Sequence, residues 1–323
     1  MYHKLYLILA HHRPSQLQIL INKLNDSNSI FIIHVDKGSN IADFKATISL
    51  ENVHFIEERI SCIWGNISIV QATLVMIEFA LKLKKNGHLI LLSGACMPLA
   101  SNDDITKYLS DNQDVNFIDI FELENFLDLE EMKRRFLAYT IHFRPRIAVS
   151  INPVTSFKTL LFELKRVLKF IAFSLIEKRY DELNFLKEFR HSRTSFFSKN
   201  FAGSQWWALN QSTAEAMLAH TRNNPANLNQ YKFTHSPDEI FFHTLLMNLP
   251  HVLKNNPIKH SITYTEWSSK NSPSPITFSR DNLPQLIQKR SENYFFARKF
   301  DIDADDFFVT ELPLSTRQKK PSL

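Results

Sequence analysis

Apolar and polar positions along this chain follow two rhythms, and the changes between them mark its elements. Leu5 to Ala10 is an unbroken apolar run with the length of a strand buried on both faces. Polar His11-His12-Arg13 ends it. Pro14 suits the first position of a helix in which Leu17, Leu20, Ile21 and Leu24 recur at helical spacing. Ser29 to Val35 is a second apolar run, stopping at Asp36-Lys37-Gly38. A strand, a helix and a strand in this order predict a crossover and a parallel pair. Val53 to Ile56 reads as a third strand. Beyond Trp64-Gly65-Asn66, Ser68 and Gln71 have the spacing of a capping box for a helix running to about Lys85, with Gly87 as its left-handed stop. Leu89 to Leu92 is the next buried strand, Ser93 to Pro98 a tight turn at its carboxyl end, and Asn116 to Ile120 a further strand. Phe121 to Arg135 is charged and mostly helical in pattern.

The rhythm changes again from about Phe157 to Asn200, where Lys165, Arg166 and Lys169 interleave with Leu161, Leu164 and Leu168. Such an amphipathic stripe either lies on an anionic membrane surface or packs on the domain with its charges in water. Near the end comes Ser236-Pro237-Asp238-Glu239. Ser236 can cap a helix, Pro237 suits its first position, and the two acids fall in the first turn, where the helix dipole favours negative charge. Ile240, Phe241, Leu245 and Leu246 then give an apolar face that anchors the turn. Taken together the pattern predicts an α/β fold with a mostly parallel central sheet flanked by helices. It divides one continuous body into segments 1–120, 121–200 and 201–310, followed by a tail, 311–323, expected to be disordered.

At 323 residues with 44% hydrophobic content the chain can bury a substantial core. A net charge of +5 favours anionic partners but is too mild and too evenly spread for a nucleic-acid binder. Two cysteines, Cys62 and Cys96, make no disulfide framework and no metal-ligand spacing, so a reducing cytoplasm is the expected compartment. The apolar start is too short for a signal peptide, and no apolar window approaches the roughly 20 residues of a membrane span.

Doubly wound sheets gather ligands at the carboxyl ends of their strands, where His11, His34 and Asp36 fall. Asp36 is a candidate for a ribose or base hydroxyl, beside the alternative of a plain turn aspartate. Ser93-Gly94 closes a buried strand, and a glycine there lets backbone approach a ligand. Cys96 is expected to be a small buried hydrophobe rather than a reactive thiol. Gly203-Ser204-Gln205-Trp206-Trp207 joins small residues, an amide and flat aromatic faces, which suit a sugar ring; core tryptophans are the alternative. Arg298 and Lys299, framed by phenylalanines, place fixed positive charge beside apolar walls, which suits a diphosphate or a surface salt bridge. A carboxylate held rigidly at a pocket rim, such as Glu239, is what a general base needs.

In order and spacing, Ile8-Leu9-Ala10-His11, His34-Val35-Asp36-Lys37, Trp64-Gly65, Leu92-Ser93-Gly94, Gly203 to Leu209, Ser236 to Glu239 and Phe296 to Phe300 resemble the core-2/I-branching β1,6-N-acetylglucosaminyltransferase and peptide O-xylosyltransferase family. The resemblance runs over nearly the whole chain. It implies a variant GT-A glycosyltransferase fold with a nucleotide-sugar-binding half and an acceptor-binding half. It also implies inverting transfer from a UDP-sugar with no cofactor and no divalent metal. Glu239 matches the catalytic base. His11, Asp36, Trp64, Gly65, Ser93, Gly94, Arg298 and Lys299 fall on the nucleotide-sugar side, with Lys299 matching the cation that neutralises the departing diphosphate. Gly203, Ser204, Gln205, Trp206, Trp207, Asp238 and Trp267 fall on the acceptor side. The sequence departs from the family pattern at Cys96, where relatives commonly carry Asp, at Ala202 in place of a glycine, and at Glu266 before Trp267. Arg280 is the nearest candidate for a second arginine upstream of the phosphate lysine. The resemblance reads as a bacterial cytoplasmic member acting on surface polysaccharide or lipooligosaccharide precursors, with a glycan or glycolipid acceptor and peripheral contact with the inner membrane. A noncatalytic sugar- or nucleotide-binding module on the same scaffold is the competing expectation.

Overall fold

The computed structural model describes residues 1–126, 128–144, 147–154, 156–187, 193, 195, 197–269, 272 and 274–307. The predicted tail 311–323 lies outside the described residues. A seven-stranded sheet forms the centre, in the order Ile258–Lys259, Asn116–Phe117, Ala208–Asn210, Gly87–Ser93, His3–Ala10, Ser29–Val35 and Val53–Phe55. Ala208–Asn210 runs antiparallel to both its neighbours, and the other four pairings are parallel. This mostly parallel sheet with flanking helices is the variant GT-A architecture expected.

The unbroken apolar runs are what a sheet covered on both faces requires. On one face Tyr6, Ile8, Phe31, Ile33, Ile90 and Leu92 pack with the helix Pro14–Leu24 and with Phe295 to Phe300. On the other, Leu5, Leu7, Ile32, Leu89 and Leu91 pack beneath the helices Ser68–Lys82, Gln211–Asn223 and Phe241–Met247. A one-residue slip would exchange the two sets, and each buried aliphatic side chain is worth about 1.5–3 kcal/mol, so the register is fixed. A third, smaller core lies to the side. There the hairpin Tyr139–Arg144/Ile147–Ile151 packs Ile141, Phe143 and Val149 against Val167 and Phe170 of the helix Phe157–Ile176 and against Phe233.

Several local expectations are corrected. Ser68 makes no cap: its hydroxyl accepts from the Ile63 amide at 3.0 Å, and Asn66 Oδ1 accepts from Ser68 N instead. Gly87 does not stop the helix but opens a strand, where a Cβ would sit 1.8 Å from the His3 carbonyl oxygen; Lys84, with φ 53°, is the left-handed residue. The turn expected at Ser93 to Pro98 is shorter, because Cys96–Pro98 is a strand antiparallel to Phe296–Arg298. The strand expected over Asn116 to Ile120 reduces to Asn116–Phe117.

Candidate active site

Glu239 ends a single 3₁₀ turn, Pro237–Glu239, and not the first turn of the following helix. Ser236 is left-handed, with φ 50°, and caps nothing with its side chain; the helix proper begins at Phe241. The turn is fixed from three sides instead. The Ser236 amide donates to the Gly65 carbonyl at 2.9 Å, the Gly203 amide donates to the Glu239 carbonyl at 2.9 Å, and Phe241 and Leu245 are buried below. Gly203 approaches so closely that a Cβ there would lie 1.8 Å from the Asp119 carbonyl oxygen and 2.8 Å from His243 Cδ2. Burial lowers the His243 pKa to about 4, so the neutral ring donates from Nε2 to the Ser204 carbonyl at 3.0 Å and holds this loop in place.

The Glu239 side chain is partly exposed, and its Oε2 accepts from Arg135 Nη1 at 2.7 Å. Arg135 is buried in the π-helical turn Lys133–Leu137, and its Nε also donates to Glu131 at 2.9 Å. Asp238, next in chain to Glu239, is buried, and its Oδ1 has no hydrogen-bond partner among the described residues. Burial and the neighbouring Glu239 push its pKa up to about 7, opposed by Arg135 and Arg298. Asp238 therefore lies in electrostatic reach of two guanidinium groups that come from distant parts of the chain.

Arg298 stands at the end of Phe296–Arg298, the middle strand of a small sheet with Thr263–Thr265 and Cys96–Pro98. Its Nε donates to Ser93 Oγ at 3.2 Å, and its guanidinium lies over the Trp206 ring at 4.8 Å. Burial lowers its pKa from the ordinary arginine value while Cys96 and Asp238 oppose that shift, and arginine stays charged at any relevant pH. Lys299 turns elsewhere, donating from Nζ to Ser274 Oγ at 3.2 Å, so the two adjacent cations are not aimed alike. Desolvation and the stacked His12 lower the His11 pKa, with Asp36 and Arg298 also in electrostatic reach. His11, Asp36, Ser93 and Arg298 thus gather at the carboxyl ends of the central strands, as expected there.

Asp36 gives both carboxylate oxygens to backbone, accepting from Gly38 N at 2.7 Å and Cys62 N at 2.6 Å. His34 is likewise structural, accepting the Ile60 amide at 2.9 Å. At Gly94 a Cβ would meet only Ala10 Cβ, at an ordinary van der Waals distance of 3.9 Å. Cys96 is fully buried, burial raises its thiol pKa, and it behaves as core. Trp64 is exposed and sits edge-on to His235 at 5.5 Å. Gly65, with φ 77°, has His142 and His235 where a side chain would go. The Cys62 to Gly65 segment therefore bridges Asp36 to the Glu239 turn.

The tryptophan expectation needs correction. Trp207 is 1% exposed and packs on Phe242, and the accessible face of Trp206 is covered by Arg298, so neither offers an open ring to a sugar. Trp64 and Trp267 are the exposed indoles among the described residues. Trp267 lies beyond Thr263–Thr265, following Glu266, whose carboxylate accepts from Tyr264 and Gln285. Gln205 is half-buried in the loop between Ser204 and Trp206. Arg280 packs over Phe307 at 4.1 Å and does not join Arg298.

Sequence reading missed three residues. Arg135 lies 104 positions from its partner Glu239 in a stretch with no motif. Buried Gln16 staples Gly94 and Phe300 carbonyls, at 3.2 and 3.0 Å, to the first helix. Arg13, the left-handed residue ahead of that helix, pairs with Asp301 and Asp303 at 2.8 Å each. Asp301-Ile302-Asp303 has the Asp-x-Asp spacing that can hold a metal, and that pairing engages both of its acids. Among the described residues no group of three or more His, Cys, Asp or Glu side chains is spaced to hold a metal.

The family model and the sequence relatives point the same way. A model of the family described as Core-2/I-Branching enzyme matches residues 5–160 and 161–290. Xylosyltransferase 1 of Rattus norvegicus is 24% identical over 331 residues, which cover 95% of this chain and 34% of that protein. Xylosyltransferase oxt of Drosophila pseudoobscura pseudoobscura is 23% identical over 88% of this chain and 30% of its own length. Xylosyltransferase 2 of Mus musculus is 25% identical over 92% of this chain and 31% of its own. The chain spans about a third of the length of the relatives it matches. Because the family match runs from the first strand into the last helix, the chain belongs to the Core-2/I-Branching enzyme family.

Proposed function

We propose that this chain is an inverting glycosyltransferase that moves a sugar, N-acetylglucosamine or xylose, from a UDP-sugar to a hydroxyl of a glycan or glycolipid acceptor. The carrying observation is the grouping of a partly exposed Glu239, held by Arg135, with a buried Asp238 that lies in electrostatic reach of Arg298, itself bonded to Ser93 at the carboxyl end of a central strand. Arg135 orients Glu239 through Oε2, leaving Oε1 to take the proton of the acceptor hydroxyl. As that proton leaves, the hydroxyl oxygen bonds to the anomeric carbon from the face opposite the nucleotide. The bond from that carbon to the diphosphate oxygen breaks with its electron pair, and UDP departs. Arg298, fixed by Ser93 and Trp206, is preorganised to take up the charge of the diphosphate, while Lys299 is turned toward Ser274. A fixed cation of this kind can offset the charge that a metal otherwise offsets, so the transfer is read as independent of divalent ions. The setting is read as bacterial surface polysaccharide or lipooligosaccharide synthesis, in the cytoplasm and against the inner membrane.

The test is UDP release with UDP-N-acetylglucosamine and UDP-xylose across a panel of glycan acceptors, in the presence of EDTA. Turnover is expected with one donor. Glu239→Gln is expected to lower kcat at least a hundredfold while leaving the UDP dissociation constant within about threefold. Turnover abolished by EDTA rejects metal independence, and turnover retained by Glu239→Gln rejects the base. Donor binding without UDP release on any acceptor identifies a noncatalytic binding module instead.

A further inference from the structure

The helix Phe157–Ile176 is only partly used by the fold. It begins with a capping box, Ser156 with Thr159, and buries a narrow strip of Glu163, Val167, Phe170 and Ser174 against the hairpin beneath. A helix of that kind ordinarily turns charge to the solvent. Here Phe157, Leu161, Leu164, Leu168 and Leu175, separated by three-, four- and seven-residue steps, fall on one line about a third of a turn from the buried strip, and all are exposed. Phe162, 74% exposed, and Ile176 are exposed as well but lie off that line, about a third and a quarter of a turn round. Lys158, Lys165 and Lys169 run alongside it, also exposed. The helix has one acid, Glu163, which is buried and accepts from Arg166 at 2.7 Å and Asn152 at 2.8 Å.

We propose that this face docks on an anionic phospholipid bilayer, its leucines and phenylalanines at the acyl boundary and its lysines among the lipid phosphates. Charge selects this occupant over a second copy of the chain, because self-pairing would bring two rows of lysine together with no exposed acid on either helix to match them. The helix lies on the surface, since no described helix is long and apolar enough to cross a membrane. Docking also orients the cleft. Arg179, just past the helix, donates to the His142 carbonyl at 2.7 Å; the His142 ring stacks on His235; and His235 stands four residues before Glu239.

Co-sedimentation of the full chain with extruded vesicles tests the proposal. Vesicles of phosphatidylglycerol and phosphatidylcholine are expected to bind it at least tenfold more tightly than pure phosphatidylcholine, with the difference lost in high salt. A Leu161→Glu/Leu168→Glu variant with an unchanged circular dichroism spectrum is expected to lose that binding at least tenfold, while keeping its UDP release on a water-soluble acceptor. Undiminished binding by the variant overturns the proposal, as does absence of binding by the parent chain. So does a dimer of the parent chain in sedimentation that the same variant dissociates. The proposal stands apart from the transfer reading: vesicle binding without UDP release sinks the latter alone.

Discussion

At the scale of single residues, Asp238 is a carboxylic acid placed where ionising is costly. It is buried, its Oδ1 lacks a hydrogen-bond partner among the described residues, and its pKa is pushed up to about 7 from 3.8. A group that binds its proton more tightly folded than unfolded stabilises the fold fully below its unfolded pKa. That contribution is lost as pH rises through the folded value. Asp238 therefore lowers stability between about pH 4 and pH 7, by up to roughly 4 kcal/mol across the whole interval. Asp238→Asn, which cannot ionise, is expected to gain on the parent chain as pH rises: the melting-temperature difference should grow between pH 4.5 and pH 8. Parallel melting curves across that range would show that Asp238 titrates normally. Adjacent acids at 238 and 239 were legible in the sequence as a candidate pair. What separates them physically was not, because it depends on Arg135 holding one carboxylate while burial isolates the other.

At the scale of elements, legibility followed length and burial. His3–Ala10 and Ser29–Val35 were readable because a strand covered on both faces is a continuous apolar run, and Pro14 marked its helix because its missing N–H costs nothing there. Two-residue strands such as Asn116–Phe117 and Ile258–Lys259 carry no period, and they exist because of partners far away in sequence. Gly87, expected as a left-handed stop, was misread for a related reason. Gly87 and Gly203 serve close packing against backbone, at His3 and Asp119, rather than a positive φ, and only tertiary structure reveals such a neighbour. Gly203→Ala makes this testable, since the atom a Cβ would meet at 1.8 Å is a carbonyl that cannot rotate away. It is expected to cost about 3 kcal/mol or more in denaturant unfolding. Where the variant still folds, UDP release should fall at least tenfold, because the Gly203 amide holds the Glu239 carbonyl. Near-parental stability would mean that the loop relaxes freely and does not fix the base.

At the scale of the whole molecule, the cleft is assembled from stretches the sequence keeps far apart. Arg298 reaches it on a strand whose partner is Cys96–Pro98, and its guanidinium rests on Trp206 from a third region. This is why the tryptophan pair was misjudged: the sequence suggested an aromatic wall for a sugar, whereas in the fold Trp206 is the platform for a cation and Trp207 is core. A ligand that bridges Ser93-Gly94 and Arg298 would clamp both halves of the body at once, so its binding should register as global stability. UDP at one hundred times its dissociation constant is expected to stabilise the parent chain by about 2.7 kcal/mol, a melting shift of several degrees, equally with EDTA present. Arg298→Met is expected to abolish that shift, whereas Glu239→Gln should keep it, because the base meets the acceptor and not the nucleotide. A full shift retained by Arg298→Met would place the diphosphate on other groups and detach Arg298 from the leaving-group role. A shift that appears only with added divalent ion would return that role to a metal.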